Sequence, residues 1–237
     1  ECSTSPPGGN QVDGLPPDTS IYIMFIAVLL TQNIKIFDNK PIITHIIEML
    51  KKTNLFKYIV VTSDSQKILN LSKKNKVDIL INRPNKLSDD FTDTHSVIKH
   101  SIKFLLSNKY TFDNIFCVYP TSVFLNKNII NKALRISNNK GYIFSAIKYT
   151  HPIERSFKSL KKNTKINFPK YMNFRTQDIE PSYHDAGQFY LANYRLWLRK
   201  KKIISKDSSF IEIPHDRCHD IDNMNDWKYA ELIWKNK

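Results

Sequence analysis

Short apolar runs alternate along the chain with stretches in which apolar side chains recur every three or four residues. The short runs are typical of buried β-strands, and the helical spacing between them is typical of amphipathic helices. Strands are therefore predicted at 21–30, 58–63, 77–81, 112–119, 141–149, 187–194 and 210–214. Helices are predicted at about 41–50, 64–71, 94–107, 126–138 and 226–235, with a short basic surface turn of helix at 195–202.

This alternation of strands and helices at short spacing predicts an α/β fold with a mostly parallel sheet and helices on both faces. From Thr150 to Ser182 the alternation stops, and Lys, Asn, Pro and aromatic residues mix without a period. Long irregular segments are usually functional or disordered, and a long excursion, a lid or a dimer arm is expected at about 150–185. Residues 1–20 are rich in Ser, Pro, Gly and Asp and are expected to be a disordered leader or a tag. That leaves 21–237 as one domain.

The composition suits one sizeable domain, because the chain has 237 residues, of which 41% are hydrophobic. Its formal net charge is +14, yet only seven of the 36 basic residues are Arg, and the Lys residues are scattered. A nucleic-acid binder more often concentrates Arg and Lys on one face among aromatic residues. Nucleic acid is therefore not the expected partner, although a basic nucleic-acid module stays open and predicts salt-sensitive binding. Small phosphorylated or carboxylated ligands fit the charge equally well.

Three widely spaced cysteines without a C-x-x-C pair suggest neither a zinc site nor a disulfide framework. A reducing cytoplasm is the simplest location for such a chain. The apolar run 21–30 is too short to span a membrane, so no membrane partner is expected.

Polar residues that directly follow the predicted strands are the candidates for chemistry, because open parallel sheets bind ligands at the carboxyl ends of their strands. These residues are Asp64, Arg83, Tyr119, Thr121, Asp220 and Asp222.

Asp220 and Asp222 share one face if the chain there is extended, since strand side chains alternate with period two. Two carboxylates on one face can hold Mg²⁺, which prefers oxygen ligands and keeps water and substrate phosphates as well. The alternative is that one Asp caps the last helix and the other is solvated.

Arg83 precedes Pro84 and is therefore expected in extended backbone. Its guanidinium suits bidentate bonds to a phosphate or a base carbonyl. The alternative is a surface Arg that pairs with Asp89 or Asp90. For Asp64, capping of the second helix is as good an expectation as a nucleotide contact.

In chain order, several stretches resemble the acylneuraminate cytidylyltransferases, and most closely their pseudaminic acid branch. The resemblance extends from about Asn33 to Trp234, and its most specific piece is Tyr183–Tyr190. The matching stretches are Asn33–Lys35, Lys40–Ile42, Val61–Asp64, Arg83–Pro84, Leu87–Thr92, Tyr119–Thr121, Phe174–Asp178, Tyr183–Tyr190 and Asp220–Asp222.

The resemblance implies transfer of CMP from CTP to the anomeric hydroxyl of a nine-carbon 2-keto acid sugar, with release of pyrophosphate. It also implies Mg²⁺, a three-layer sheet like that of nucleotide-diphospho-sugar transferases, and an arm that forms a homodimer. By the same resemblance, Asp220 and Asp222 are the catalytic metal ligands. The nucleotide-binding residues are Asn33, Asn82 and Arg83, and the residues that face the sugar are Tyr119, Thr121, Gln177, Asp185 and Gln188.

The chain departs from the family after its first strand, where the family has a Gly-rich basic loop. Here Val28–Gln32 leads straight into Asn33, and Gln32 stands where a Lys is expected. Backbone N–H groups and cations of such a loop hold phosphates. The alternative function is therefore an impaired or inactive relative that binds sugar or nucleotide without turning it over.

Overall fold

The computed structural model describes residues 23–28, 34–89, 91–136, 140–161, 163–199, 202–219, 221 and 223–236, with 23–28 as backbone. The predicted leader, residues 1–20, lies outside this part of the chain. The helices described are α1 (Ile42–Thr53), α2 (Gln66–Lys74), α3 (Thr94–Ser107), α4 (Lys127–Arg135), α5 (Tyr194–Leu198) and α6 (Met224–Lys235). Among these helices, none is both long enough and apolar enough to cross a membrane.

Seven strands form the central sheet, in the order β11-β7-β10-β6-β1-β4-β5. Their bounds are β1 (Ile23–Val28), β4 (Tyr58–Ser63), β5 (Ile79–Asn82), β6 (Asn114–Val118), β7 (Ile143–Lys148), β10 (Tyr183–Asn193) and β11 (Ser209–Glu212). Only β10 runs against its neighbours β6 and β7, and the other described pairs of this sheet are parallel. The mostly parallel sheet predicted from the sequence is confirmed.

Helices cover both faces of this sheet, and alternate residues of a strand pack against each layer. In β4, Ile59 and Val61 belong to the core beneath α1, α2 and α4. Val60 between them packs in the core beneath α3 and α5. The expected three-layer architecture is therefore confirmed.

A small hairpin of β2 (Ile36–Phe37) and β3 (Lys40–Pro41) joins the first strand to α1. Its turn residues Asp38 and Asn39 have φ angles of 43° and 67°, the conformation that tight hairpin turns require. Phe37 is fully buried and packs against Trp227 of α6. The hairpin thus ties the last helix to the start of the domain.

Two elements differ from their predictions. The predicted surface turn is α5, which buries Trp197 completely between Tyr142 and His95. Basic neighbours hid this anchor in the sequence. β10 begins at Tyr183, four residues before the predicted strand, because Tyr183, His184 and Asp185 pair with Lys148, Ile147 and Ala146 of β7.

The segment between β7 and β10, residues 150–182, is here called the arm. It carries a hairpin of β8 (Phe157–Leu160) and β9 (Asn163–Ile166), and every residue of both strands is exposed. A strand with no buried face needs no alternation of apolar and polar residues. For this reason the sequence showed no period here.

Candidate active site at the carboxyl edge of the sheet

Six strands end at one edge of the sheet, called the carboxyl edge, and the antiparallel β10 begins there. Asp64 follows β4, and Arg83 follows β5, whose last residue Asn82 is exposed and lies opposite Ser63. Tyr119 follows β6. Because Phe189 lies opposite Val118, the first half of β10 extends past the end of β6. The structure therefore brings most of the predicted site residues to one edge.

Arg83 is buried at this edge, with 4% of its side chain exposed. Its guanidinium donates to Asp64 Oδ1 at 3.1 Å and, through Nε, to Ser88 Oγ at 3.1 Å. The alternative of a surface Arg is wrong. The predicted cap is wrong as well, because Ser65 occupies the N-cap of α2 and Asp64 forms the ion pair with Arg83.

Asp89 holds the loop between Arg83 and α3. Its Oδ1 accepts hydrogen bonds from the Thr92 hydroxyl at 2.6 Å and from the Phe91 backbone N–H at 3.2 Å. The hydrogen bond from Thr92 lowers the pKa of Asp89 below its ordinary value. The ionised carboxylate thus fixes a loop on which Phe91 is almost fully exposed.

Tyr119 and Thr121 lie in the loop after β6, and both are half-buried. The Tyr119 hydroxyl lies 2.5 Å from Thr94 Oγ1, at the first residue of α3. Its ring meets that of Tyr190 edge-on, with centroids 6.0 Å apart. Tyr119 therefore links the loop after β6 to α3 and to β10.

β10 is irregular between Asp185 and Tyr190, where its register against β7 shifts. Gly187 adopts a φ of 61°, and its N–H donates to Asp185 Oδ1 at 2.8 Å. The Tyr190 hydroxyl donates to the other oxygen, Asp185 Oδ2, at 2.8 Å. Burial raises the pKa of Tyr190, so this hydroxyl stays protonated at neutral pH. Both oxygens of Asp185 are thereby oriented within the bulge.

Gln188 lies in the same bulge but is buried, with 4% of its surface exposed. Its side-chain Nε2 donates to the backbone oxygen of Arg217 at 2.5 Å. Ser145 Oγ accepts the backbone N–H of Gln188 at 3.0 Å. The predicted sugar contact of Gln188 stays a prediction.

Gln177 is exposed in a short turn of the arm, Thr176–Asp178. The contacts of this turn lie within the arm, where Arg155 donates to Thr176 and Arg175 pairs with Asp178. Within the described residues, no hydrogen bond or ion pair joins Gln177 to the carboxyl edge.

Asn33, Asp220 and Asp222 lie outside the described residues. Ile221, which separates the two Asp residues, is 4% exposed and packs in the cluster of Phe37 and Trp227. The cap of α6 is Asn223, which accepts from the N–H of Asp226, while the Asp226 carboxylate accepts the Asn223 N–H. The alternative that one of the two Asp residues caps the last helix is therefore wrong. Among the described residues, no cluster of three or more His, Cys, Asp or Glu suits a metal ion.

Sequence reasoning missed two residues of this edge, Ser145 and Arg217. Ser145 is the one polar residue inside the apolar run Ile143–Ile147, and it is fully buried. A buried hydroxyl needs a hydrogen-bond partner, so this interruption was a signal for a nearby backbone contact. Arg217 contributes its backbone carbonyl, which no sequence pattern marks.

The three-layer fold of this chain is shared with solved structures of other proteins. The structure is similar to 4-diphosphocytidyl-2C-methyl-D-erythritol synthase from Anaerococcus prevotii, with a TM-score of 0.63 at 10% identity, covering 90% of this chain and 96% of that one. It is also similar to CMP:2-keto-3-deoxy-manno-octonic acid synthetase complexed with CTP, with a TM-score of 0.61 at 9% identity, covering 90% and 98%.

Sequence comparison then identifies the family. The profile of the family described as Cytidylyltransferase matches residues 29–231. A pseudaminic acid cytidylyltransferase of Campylobacter jejuni subsp. jejuni serotype O:23/36 is 32% identical over 207 residues, which are 86% of this chain and 89% of that protein. The chain belongs to the cytidylyltransferase family, as its resemblance in sequence predicted.

Proposed function

We propose that this chain transfers CMP from CTP to the anomeric hydroxyl of a nine-carbon 2-keto acid sugar, with pseudaminic acid as the favoured substrate, and releases pyrophosphate. Membership of the cytidylyltransferase family supports the reaction, and the relative from Campylobacter jejuni supports the sugar. The observation that carries the proposal is the group of polar side chains from β4, β5, β6 and β10 at one edge of the sheet.

On the nucleotide side, the proposal assigns Asn33, Asn82 and Arg83 to CTP. Transfer of a nucleotidyl group requires an aligned nucleophile and neutralised charge more than covalent chemistry by the protein. Arg83 suits this role because Asp64 and Ser88 orient its guanidinium before any ligand arrives. A guanidinium with a fixed direction loses less freedom when it binds an anion.

On the sugar side, the proposal assigns Tyr119, Thr121, Asp185 and Gln177 to contacts with the sugar, whereas the buried Gln188 acts through its bond to Arg217. Tyr119 and Asp185 are half-buried and oriented by hydrogen bonds, so each presents a polar group in a defined direction. Gln177 lies on the arm, so its contact with the sugar requires the arm to lie against a carboxyl edge, that of the same chain or of a second copy.

Asp220 and Asp222 are proposed as the ligands of Mg²⁺. Their carboxylates are the donor chemistry that this cation prefers, and the buried Ile221 between them anchors that part of the chain. Bound there, Mg²⁺ would neutralise charge on the phosphate oxygens. Asp222→Asn is expected to lower Mg²⁺-dependent turnover by at least about 100-fold, whereas Asp113→Asn, an exposed Asp before β6, keeps it. Unchanged turnover in Asp222→Asn would reject the assignment.

Pyrophosphate release from CTP, Mg²⁺ and pseudaminic acid is the direct test of the reaction. Turnover is expected with pseudaminic acid, and a stronger response to another nonulosonic acid would change the substrate while keeping the chemistry. The comparisons give no support to the alternative of an inactive relative. Calorimetry with CTP alone separates a chain that binds without reacting from one that does not bind.

The arm is proposed to form a homodimer. It exposes Phe157 and Ile166, which lie opposite each other on one face of its hairpin with exposures of 61% and 39%, and Leu160 on the other face with an exposure of 51%. An exposed group of large apolar side chains marks an interaction surface. A cytoplasmic location is likewise proposed, from the cysteine usage of the chain.

A further inference from the structure

Gln188 occupies the position in the carboxyl edge where four segments of the chain meet. It lies in the irregular part of β10, between Asp185 and Tyr190. Bulges of this kind are over-represented next to active sites, where they redirect a side chain. The contacts of Gln188 show what this bulge redirects.

The backbone of Gln188 is fixed from both neighbouring strands. On the β7 side, the Ser145 hydroxyl accepts the N–H of Gln188 at 3.0 Å and that of Phe189 at 3.2 Å. On the β6 side, the Gln188 carbonyl accepts the N–H of Tyr119 at 3.3 Å and the hydroxyl of Ser122 at 3.1 Å. A residue held on both sides presents its side chain in a fixed direction.

That side chain points to the turn His215–Arg217, which leads toward Asp220. Its Nε2 donates to the backbone oxygen of Arg217 at 2.5 Å. A backbone carbonyl can only accept, so the contact also settles which end of the amide faces it. Arg217 in turn donates from Nη1 to the Phe124 carbonyl at 3.4 Å. The bulge of β10 is thus tied to the segment just before the proposed metal ligands.

The other end of the amide, Gln188 Oε1, is buried and has no hydrogen bond from any described residue. A buried acceptor without a partner costs stability, so this end of the amide does not stabilise the fold. Stability of the core therefore does not explain a Gln at this position, and the contact with Arg217 does.

We propose that Gln188 is a positioning residue: by fixing the turn His215–Arg217, it supports the metal binding proposed for Asp220 and Asp222, which follow this turn in the sequence. The inference rests on the proposed function of those two Asp residues as metal ligands. It differs from a sugar contact of Gln188, because the amide nitrogen of Gln188 donates to Arg217 and not to a ligand.

The test is direct binding of Mn²⁺ alone, followed by electron paramagnetic resonance of the free ion, to the full chain and to Gln188→Met. Mn²⁺ prefers the same carboxylate and water ligands as Mg²⁺. Its dissociation constant is expected to rise about tenfold in Gln188→Met, which corresponds to about 1.4 kcal/mol. Gln66→Met, the same change on the exposed start of α2, is expected to leave binding unchanged.

Two further variants keep the outcome decisive. Gln188→Asn keeps the amide but shortens the side chain by one methylene, so it is also expected to weaken Mn²⁺ binding. It serves as the test if Gln188→Met does not fold. Asp222→Asn reports on the metal site itself. If Asp222→Asn leaves Mn²⁺ binding unchanged, the proposed metal ligands are wrong, and the proposed role of Gln188 is rejected as well.

Steady-state kinetics separates positioning from sugar contact. Positioning predicts that Gln188→Met lowers kcat at fixed Mg²⁺ while the KM for the sugar changes less than about twofold. If Mn²⁺ binding is lost in Asp222→Asn but kept in both Gln188 variants, the inference is overturned. A raised sugar KM with unchanged Mn²⁺ binding overturns it as well, in favour of a sugar contact.

Discussion

At the carboxyl edge, polar side chains are buried and bonded to one another, whereas on the arm apolar side chains face solvent. Arg83 and Gln188 are each 4% exposed and have partners from other strands and loops. On the arm, Phe157 and Leu160 are more than half exposed, and the hydrogen bonds of the hairpin are local.

One chain supplies hydrogen-bond partners for the buried polar groups of the edge, but it leaves the apolar side chains of the arm exposed to solvent. Buried polar groups lose stability unless they are bonded, and Arg83, Ser145 and the amide nitrogen of Gln188 have their partners within the edge. Exposed apolar groups gain stability only when something covers them. The edge is thus a preorganised site, and the arm is a surface that a second copy is proposed to cover.

The largest expected effect is on the dissociation constant of the proposed homodimer, after substitution of apolar residues of the arm. The double variant Phe157→Ser with Ile166→Ser removes the apolar pair on one face of the hairpin. It is expected to raise the dissociation constant of the homodimer by at least about 100-fold, since full burial of each such side chain stabilises by about 1.5–3 kcal/mol. Sedimentation equilibrium measures this constant, and calorimetry checks that binding of CTP to the edge persists.

Leu232→Ser is the matched control for the arm. Leu232 on α6 is 58% exposed, close to the value for Phe157, but it lies outside the arm and its loss is expected to leave assembly unchanged. A parent chain that sediments as a monomer at high concentration, or an arm variant that stays dimeric, removes the second copy as the partner.

Much of the sheet was predictable, because β4, β6 and β7 are buried on both faces and therefore form nearly continuous apolar runs. Residues after β4, β5 and β6 could be assigned to one edge from their order alone. By contrast, the ion pair of Asp64 with Arg83 was not predicted. From the sequence, Asp64 could equally be a helix cap and Arg83 a surface residue. Local sequence favours caps, but only the parallel pairing of β4 with β5 brings these two residues together.

The contact of Gln188 with Arg217 was beyond sequence reasoning for a different reason. It depends on a bulge in β10, and a bulge leaves the pattern of apolar residues nearly intact. Ser145 was the available signal, since a polar residue in a buried strand needs a partner. The hairpin of the arm left no signal, because neither of its faces is buried.

A second, smaller effect compares one ion pair from each region. A double-mutant cycle on Arg83 and Asp64 is expected to give a coupling of about 2 kcal/mol in the free energy of unfolding, because removing one partner leaves the other charge poorly solvated. The cycle on Arg175 and Asp178 of the arm is expected to give less than about 0.5 kcal/mol, since 73% and 41% of their side chains are exposed. Urea denaturation of the single and double variants measures both couplings, and equal couplings would show that burial does not distinguish the two regions.

The smallest effect concerns the Tyr190 hydroxyl. Tyr190→Phe removes the hydrogen bond to Asp185 Oδ2 and is expected to lower the free energy of unfolding by about 1 kcal/mol. Because burial raises the pKa of Tyr190 in the folded chain, the unfolded chain releases this proton first, near pH 10. Stability is then lost as the pH rises above about 10, and the loss should be smaller in Tyr190→Phe than in the parent chain.

Tyr183→Phe provides the comparison within the same strand. Its hydroxyl also donates to a carboxylate, Glu212 Oε2, but at 3.2 Å and in an exposed setting. Water replaces such a bond readily, so no measurable change in the free energy of unfolding is expected. Urea denaturation of both variants at pH 8 and above pH 10 decides between them. If Tyr183→Phe lowers the free energy of unfolding as much as Tyr190→Phe, the hydrogen bond of Tyr190 to Asp185 is no stronger than an exposed one. The proposed preorganisation of the bulge is then not supported.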